Sequence, residues 1–228
     1  MTATALVSNR RLNAVDRGLL ALSLACGAIY LVTRGAHAVT GSVVIKALSI
    51  APLALFAFRM LKDRDGLILG VSLLFSTLGD VFLAVDEERL FTFGLASFLI
   101  AHVLYVVLFA RHWSKPVSAS AGRKMLAVVL VIFSAAMFAW LWNSLGDLKL
   151  PVAIYLCAIT GMGIAAALAG FRAWWVIAGA MLFIVSDSMI AASKFKFPIE
   201  YGSYLIWATY YVGQFGIALG FIREKHKI

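Results

Sequence analysis

Two aspartates, Asp80 and Asp187, interrupt long apolar runs of this 228-residue sequence. A carboxylate buried in hydrocarbon costs several kcal/mol unless it is protonated, paired or exposed to a water-filled cavity. Two carboxyls that share one sheltered cavity suit general acid–base chemistry, because burial and mutual repulsion leave one protonated while the other ionises. The sequence therefore predicts that both aspartates face the protein interior and belong to one site.

Other polar and aromatic side chains lie at similar depths in the apolar runs. Trp207, Tyr211 and Gln214 recur at helical spacing, which predicts that they share one helical face. We expect a convergent group of side chains to bind substrate beside the aspartates: Lys46, His102, Tyr105, Tyr155, Ser186, Trp207, Tyr211 and Gln214. Structural alternatives stay open, with Lys46 as a counter-ion alone, His102 as a hydrogen-bonded interior histidine, and the aromatic residues as packing groups.

The segments that carry these residues are long and apolar. Apolar residues make up 63% of the chain and charged residues 14%, and the mean hydropathy is +0.95, unlike a soluble domain. Such runs cross a bilayer as helices, because a helix satisfies its own backbone hydrogen bonds and the alternation of barrel strands is absent. The sequence predicts an all-α integral membrane protein, one domain over 1–228, with spans near 18–33, 41–60, 66–85, 91–111, 124–142, 150–170, 173–193 and 202–222.

The basic residues predict the orientation, because cytoplasmic loops retain an excess of Lys and Arg. Most of them lie on the side that contains both termini, namely Arg10, Arg11, Arg17, Arg59, Lys62, Arg64, Arg111, Lys115, Arg123, Lys124, Arg172, Arg223, Lys225 and Lys227. The other side has Arg34, Arg89, Lys149, Lys194 and Lys196, beside the acidic Asp86, Glu87 and Glu88. We expect cytoplasmic termini in a bacterial inner membrane, and no nucleic-acid partner, because the net charge of +9 is spread over short loops.

Residues near the ends of the spans agree with this topology. Five tryptophans lie there, as interfacial anchoring requires, namely Trp113, Trp140, Trp142, Trp174 and Trp175. The first span precedes Ala36-His37-Ala38, which resembles a signal-peptidase site, but the length of the run favours a retained helix. Cys26 and Cys157 lie inside apolar runs without CxxC spacing, so we expect two buried thiols and no disulfide.

The chain contains a short internal similarity around its two aspartates. Residues 73–84 align with residues 180–191 at a shift of about 107 positions, with a small residue before each Asp and an apolar-Ala pair after it. Four helices per half would give the third and seventh spans the same direction and both aspartates the same depth. We therefore expect parallel half-repeats over 17–112 and 123–222.

Several motifs resemble those of the YhhN family, whose animal members are the transmembrane protein 86 lysoplasmalogenases. They are Gly79-Asp80-Val-Phe-Leu, Phe93-Gly94, His102 with Tyr105, Ser186-Asp187-Ser-Met-Ile-Ala191 and Tyr211-Val-Gly-Gln214, within 40–222. The resemblance implies hydrolysis of the vinyl-ether bond of a lysoplasmalogen to a fatty aldehyde and glycerophospho-ethanolamine or -choline, with no cofactor or metal. Lys46 resembles the family's lysine of the second span, although Ala47 follows it where the family has proline, and the proline here is Pro52.

The resemblance implies Asp80 and Asp187 as the catalytic pair for this reaction. Vinyl-ether hydrolysis needs a proton on the alkene carbon, which forms an oxocarbenium ion that water traps, and glycoside hydrolysis passes through a similar state. We expect Asp187 to be the general acid and Asp80 the ionised partner, because a Lys46 ion pair would favour the charged form of Asp80. The reverse assignment stays open.

Three other functions fit parts of the pattern. Carboxylates within membrane-spanning helices also suit a small-solute or proton-coupled transporter. No proline lies beside either aspartate to break its helix. A zinc-dependent lipid hydrolase would need more ligands than the one well-placed histidine, His102, provides. A hydrolase of another lipid also fits, because a fold does not define a substrate. The expected partners are a lysophospholipid substrate and membrane lipids.

Overall fold

A computed structural model describes residues 12–33, 41–113, 119–172 and 174–226. Within these ranges the chain forms eight long α-helices, and each is long and apolar enough to cross a membrane. They are α1 (Ala14–Thr33), α2 (Ser42–Met60), α3 (Arg64–Val85), α4 (Glu87–Ala110), α5 (Ala121–Leu141), α6 (Lys149–Leu168), α7 (Trp175–Phe195) and α8 (Gly202–His226). The predicted all-α membrane fold and its eight spans are confirmed.

Polar side chains define where several helices begin. Asp63 accepts a hydrogen bond from the Gly66 amide at the start of α3, and Asp86 accepts from two amides in the first turn of α4. Ser120 caps α5 by accepting from the Arg123 amide. Such caps satisfy amide groups that a helix leaves unpaired at its first turn. Partial burial acts against ionisation of Asp63, but hydrogen bonds from Lys225 and Gly66 still lower the pKa of this carboxyl.

Ion pairs join the helices at one end of the bundle. The buried carboxylate of Asp65, at the start of α3, accepts hydrogen bonds from Arg111 Nε at 2.7 Å and Lys225 Nζ at 2.7 Å and lies 2.8 Å from His112 Nε2. These residues follow or end α4 and α8, and a second pair, Arg59 with Asp16, joins the end of α2 to the start of α1. The described ends of the first and last helices therefore lie together, at the end predicted to be cytoplasmic.

Helices that follow each other in the chain pack as neighbours within each half. Contacts between α4 and α6, and between α8 and both α1 and α2, join the two halves. The α5 helix is the least buried of the eight and packs mainly on α6. The core thus lies between α2, α3, α4, α6, α7 and α8, which carry the predicted site residues.

Two glycines allow α7 and α8 to approach closely. A Cβ atom on Gly213 would lie 2.9 Å from the carbonyl oxygen of Gly179, and a Cβ atom on Gly179 would lie 2.6 Å from that of Gly213. Small residues at a membrane helix interface permit such backbone contact. The contact matters for the site, because α7 carries Asp187 and α8 carries Trp207.

Replacing Gly213 with valine is expected to force α7 and α8 apart and lower the free energy of unfolding by about 1–3 kcal/mol, the usual cost of overpacking. The matched control is Gly122→Val, because a Cβ atom at Gly122 meets nothing within 4 Å. Thermal unfolding of both variants in detergent checks the prediction, and equal melting temperatures for the two variants would contradict it.

The structure also bears on predictions for single residues. All five tryptophans near the span ends are exposed. The expectation for Cys157 is wrong, because its thiol is exposed on α6 while Cys26 is buried, and both are free. Arg10, Arg11, Arg34, Lys115, Lys227 and the Ala36–Ala38 motif lie outside the described residues, as does the Glu87 side chain. The half-repeats and the cytoplasmic location of the termini stay predictions.

Candidate active site

A polar cavity of about 310 Å³ lies between α2, α3, α4, α7 and α8. Both aspartates line it, together with Lys46, Ser186 and Trp207. Its walls reach Pro198 and Ile199 in the α7–α8 connection, so it lies toward the end of the bundle opposite the Asp65 ion pairs. The structure therefore brings Asp80 and Asp187 to the wall of one cavity.

Asp80 is almost completely buried and has donors on both carboxylate oxygens. Lys46 Nζ lies 3.1 Å from Oδ1, and the Tyr210 hydroxyl donates to Oδ2 at 2.6 Å. Lys46 extends from α2, which continues past Pro52, and with Ala47 after it the lysine reaches Asp80. A buried anion with a cation and a hydroxyl donor has the partners that a stable carboxylate needs.

Aromatic rings enclose the Lys46 ammonium group. Its nitrogen lies 5.8 Å from the Tyr30 ring centroid and 5.9 Å from that of Trp207, within cation–π range. The Trp207 indole is fixed in turn, because its Nε1 donates to the Gly27 carbonyl at 3.0 Å and its ring packs edge-on against Tyr30. The α1 helix thus positions the ion pair through these rings.

Asp187 has a different environment from Asp80. The Tyr155 hydroxyl donates a short hydrogen bond to Asp187 Oδ2, and His102 Nε2 lies 3.8 Å from the same oxygen, beyond hydrogen-bond distance. The His102 ring is fully buried, and neither of its nitrogens has a well-formed hydrogen bond among the described residues. The ring packs against Tyr155 and Phe183, with centroids 5.1 and 4.7 Å away. Within the part of the chain that the structure describes, Asp187 has no lysine ion pair like that of Asp80.

A hydrogen-bonded layer lies next to the polar cavity, toward the Asp65 end. The Tyr105 hydroxyl donates to Gln214 Oε1 at 2.7 Å, and Gln214 Nε2 donates to Ser76 Oγ at 2.9 Å. The three side chains join α4, α8 and α3 and are all buried. Tyr105 and Gln214, two predicted substrate-binding residues, are therefore not among the residues that line the cavity.

Ser186 and Tyr211, also predicted at the site, make structural contacts. Ser186 Oγ donates to the Ile206 carbonyl at 2.9 Å and joins α7 to α8 while lining the cavity. The Tyr211 hydroxyl lies 2.9 Å from Ser23 Oγ, on the α1 side of α8, and does not line the cavity. The structure does not bring Tyr211 together with the aspartates.

Tyr210 is the residue that sequence analysis missed. Its hydroxyl contacts Asp80 and its ring lines the polar cavity. Tyr210 follows Trp207 by three positions and precedes Gln214 by four, which is the spacing of one helical face, but Tyr211 fits the same face equally well. Among the described residues, no three His, Cys, Asp or Glu side chains converge in a way that could hold a metal ion.

Comparisons with known proteins agree with the resemblance of the motifs. A model of the YhhN family matches residues 41–221. The chain is 33% identical to lysoplasmalogenase TMEM86A of Bos taurus over 202 residues, covering 82% of this chain and 80% of that protein. It is also 33% identical to a lysoplasmalogenase of Mycobacterium tuberculosis over 153 residues, covering 66% and 58%. An uncharacterized membrane protein YhhN of Escherichia coli is 22% identical over 188 residues, covering 75% and 83%. No solved structure matches the chain.

Proposed function

Because this chain belongs to the YhhN family, we propose that it is a membrane enzyme that hydrolyses the vinyl-ether bond of lysoplasmalogens. The observation that carries the proposal is the pair of carboxyls on one cavity, of which only Asp80 has a lysine ion pair among the described residues. The products would be a fatty aldehyde and a glycerophospho-alcohol. The proposed steps use Asp80, Asp187 and Lys46, which line the polar cavity, with Tyr155 bonded to Asp187, and they need no cofactor.

The first step is proton transfer to carbon. Asp187 in its acid form gives its proton to the second carbon of the alkenyl chain, and the first carbon becomes an oxocarbenium ion bonded to the glycerol oxygen. Asp80 stays ionised beside Lys46, and its negative charge stabilises the cation across the cavity. The Tyr155 hydrogen bond to Asp187 orients the acid and stabilises the carboxylate that remains.

The second step is addition of water. Water bonds to the first carbon and loses a proton to the Asp187 carboxylate, which restores the acid and gives a hemiacetal. Asp187 then gives this proton to the glycerol oxygen as the bond from that oxygen to the first carbon breaks, and it takes the proton of the hemiacetal hydroxyl, which becomes the aldehyde carbonyl. One water is consumed and Asp187 ends in its acid form. His102 lies beside Asp187 but is not among the residues that line the polar cavity, so no step is assigned to it.

Purified protein in detergent is expected to release fatty aldehyde from a lysoplasmalogen without any ion gradient, and aldehyde measured by a coupled dehydrogenase checks this. The control substrate is the saturated 1-alkyl lysophospholipid, which lacks the double bond that must be protonated and should yield no aldehyde. Solute uptake into liposomes without aldehyde release would favour a transporter and contradict the proposal.

A further inference from the structure

A second cavity, of about 70 Å³, lies between α3, α4, α5, α6 and α7. Its lining is mainly aliphatic and aromatic and includes Leu95, Met137, Leu141, Val152, Ile184 and Ala191. None of the steps proposed for hydrolysis uses these residues. We refer to this space as the apolar cavity.

The few hydroxyl groups in the apolar cavity are already bonded to the protein. Ser134 Oγ lies 2.5 Å from the Thr160 hydroxyl, and Ser188 Oγ donates to the Ile184 carbonyl at 2.7 Å. The Tyr155 hydroxyl is occupied by Asp187. Each of these hydroxyl groups thus has a partner within the protein, and the predominantly apolar surface of the cavity is suited to hydrocarbon.

The apolar and polar cavities meet at Asp187. Leu83, Phe98, Asp187 and Ile190 line both of them. A ligand that occupies both cavities must therefore pass beside the Asp187 carboxyl, with an apolar part on one side and a polar part on the other. A lysoplasmalogen has this division, and its vinyl ether is the junction between the two parts.

The apolar cavity also reaches the lipid-facing surface. Phe133 on α5 lines the cavity and is 39% exposed, and α5 is the least buried of the eight helices. A volume of about 70 Å³ corresponds to roughly two water molecules at about 30 Å³ each. The cavity can thus hold the first carbons of a hydrocarbon chain, and the rest of a long chain must extend past α5 into the bilayer.

We propose that the apolar cavity binds the part of the alkenyl chain next to the vinyl ether, that the chain enters sideways from the bilayer along α5, and that the glycerophosphate lies in the polar cavity. This inference rests on the proposed function. It makes Ala191 and Met137 determinants of chain binding, because they line the apolar cavity from α7 and α5 without touching the Asp80 ion pair.

The test is to fill the cavity and vary the length of the chain. Ala191→Phe is expected to lower kcat/KM for a long-chain lysoplasmalogen by about tenfold or more, and by less than about twofold for a two-carbon 1-vinyl analogue, which has no carbon beyond the vinyl ether to place in the cavity. The matched control is Ala178→Phe on the same helix, which lines a separate groove between α7 and α8 and should leave both values unchanged. Met137→Trp fills the cavity from α5 and should reproduce the selective loss.

Two outcomes would overturn the inference. One is an unchanged kcat/KM for the long-chain substrate in both cavity variants, and the other is an equal loss for long and short substrates in both. Absence of aldehyde from wild-type protein would instead refute the proposed function. In that event binding of the saturated 1-alkyl lysophospholipid still tests the cavity, since Ala191→Phe should weaken it by about tenfold while Ala178→Phe should not.

Discussion

Asp187→Asn is expected to reduce aldehyde release by about 10²–10⁴-fold, the usual contribution of a positioned general acid or base. The asparagine has nearly the same shape, and its amide oxygen can still accept the Tyr155 hydrogen bond, so the protein should remain folded. The loss should occur in kcat, because an amide cannot donate a proton to carbon at a useful rate. Steady-state kinetics on lysoplasmalogen, with thermal unfolding in the same detergent, measure both effects.

Asp147→Asn is the matched control for this experiment. Asp147 lies in the short 3₁₀ helix Gly146–Leu148 before α6 and is exposed, so the same change of charge there should leave turnover intact. Turnover in Asp187→Asn close to that of wild type would remove Asp187 from the acid role. A loss of the same size in Asp147→Asn would show that the assay responds to charge in general.

The ion pair between Lys46 and Asp80 gives the second large expected effect. Lys46→Met leaves a buried carboxylate without its cation, and Asp80→Asn leaves a buried ammonium without its anion. Each single variant should lose about 3–5 kcal/mol of unfolding free energy, the cost of breaking a buried pair. The double variant Lys46→Met/Asp80→Asn should recover most of that stability, because neither charge remains.

Activity should not follow stability in this series. All three variants lack the ionised Asp80 in its lysine pair, and we expect each to release aldehyde at least about tenfold more slowly than wild type. Unfolding in mixed micelles and aldehyde release, measured on the same preparations, separate the two quantities. A fully active double variant would assign the ion pair to folding alone, as the counter-ion alternative for Lys46 predicts.

The membrane fold could be predicted because hydrocarbon thickness fixes the length of a span and excludes other backbone structures. The predicted ends of the spans were less accurate where a helix continues through polar residues beyond its apolar part. The first span was predicted from residue 18, but α1 begins at Ala14 because Asp16 is buried in an ion pair with Arg59. Hydropathy alone does not reveal that partner.

The site was partly predictable, and the remainder depends on how α8 is rotated about its axis. The sequence indicated aspartates at similar depth and a lysine in the second span, and these side chains do meet. Tyr210 and Tyr211 are adjacent and chemically identical, so sequence spacing could not decide which faces Asp80 and which faces Ser23 on α1. The apolar cavity had no signal at all, because its lining residues resemble any other membrane core.

If the proposed hydrolysis takes place, the meeting of two unlike cavities at Asp187 also has a consequence for the products. A long-chain aldehyde is soluble in the bilayer, while a glycerophospho-alcohol is soluble in water, so the fragments would depart into different phases. Recombination would require both to return to one protein molecule at once, with loss of the water that was added. Separation of the two fragments by their solubility would therefore keep the reaction running in the direction of cleavage, without any energy source besides the substrate itself.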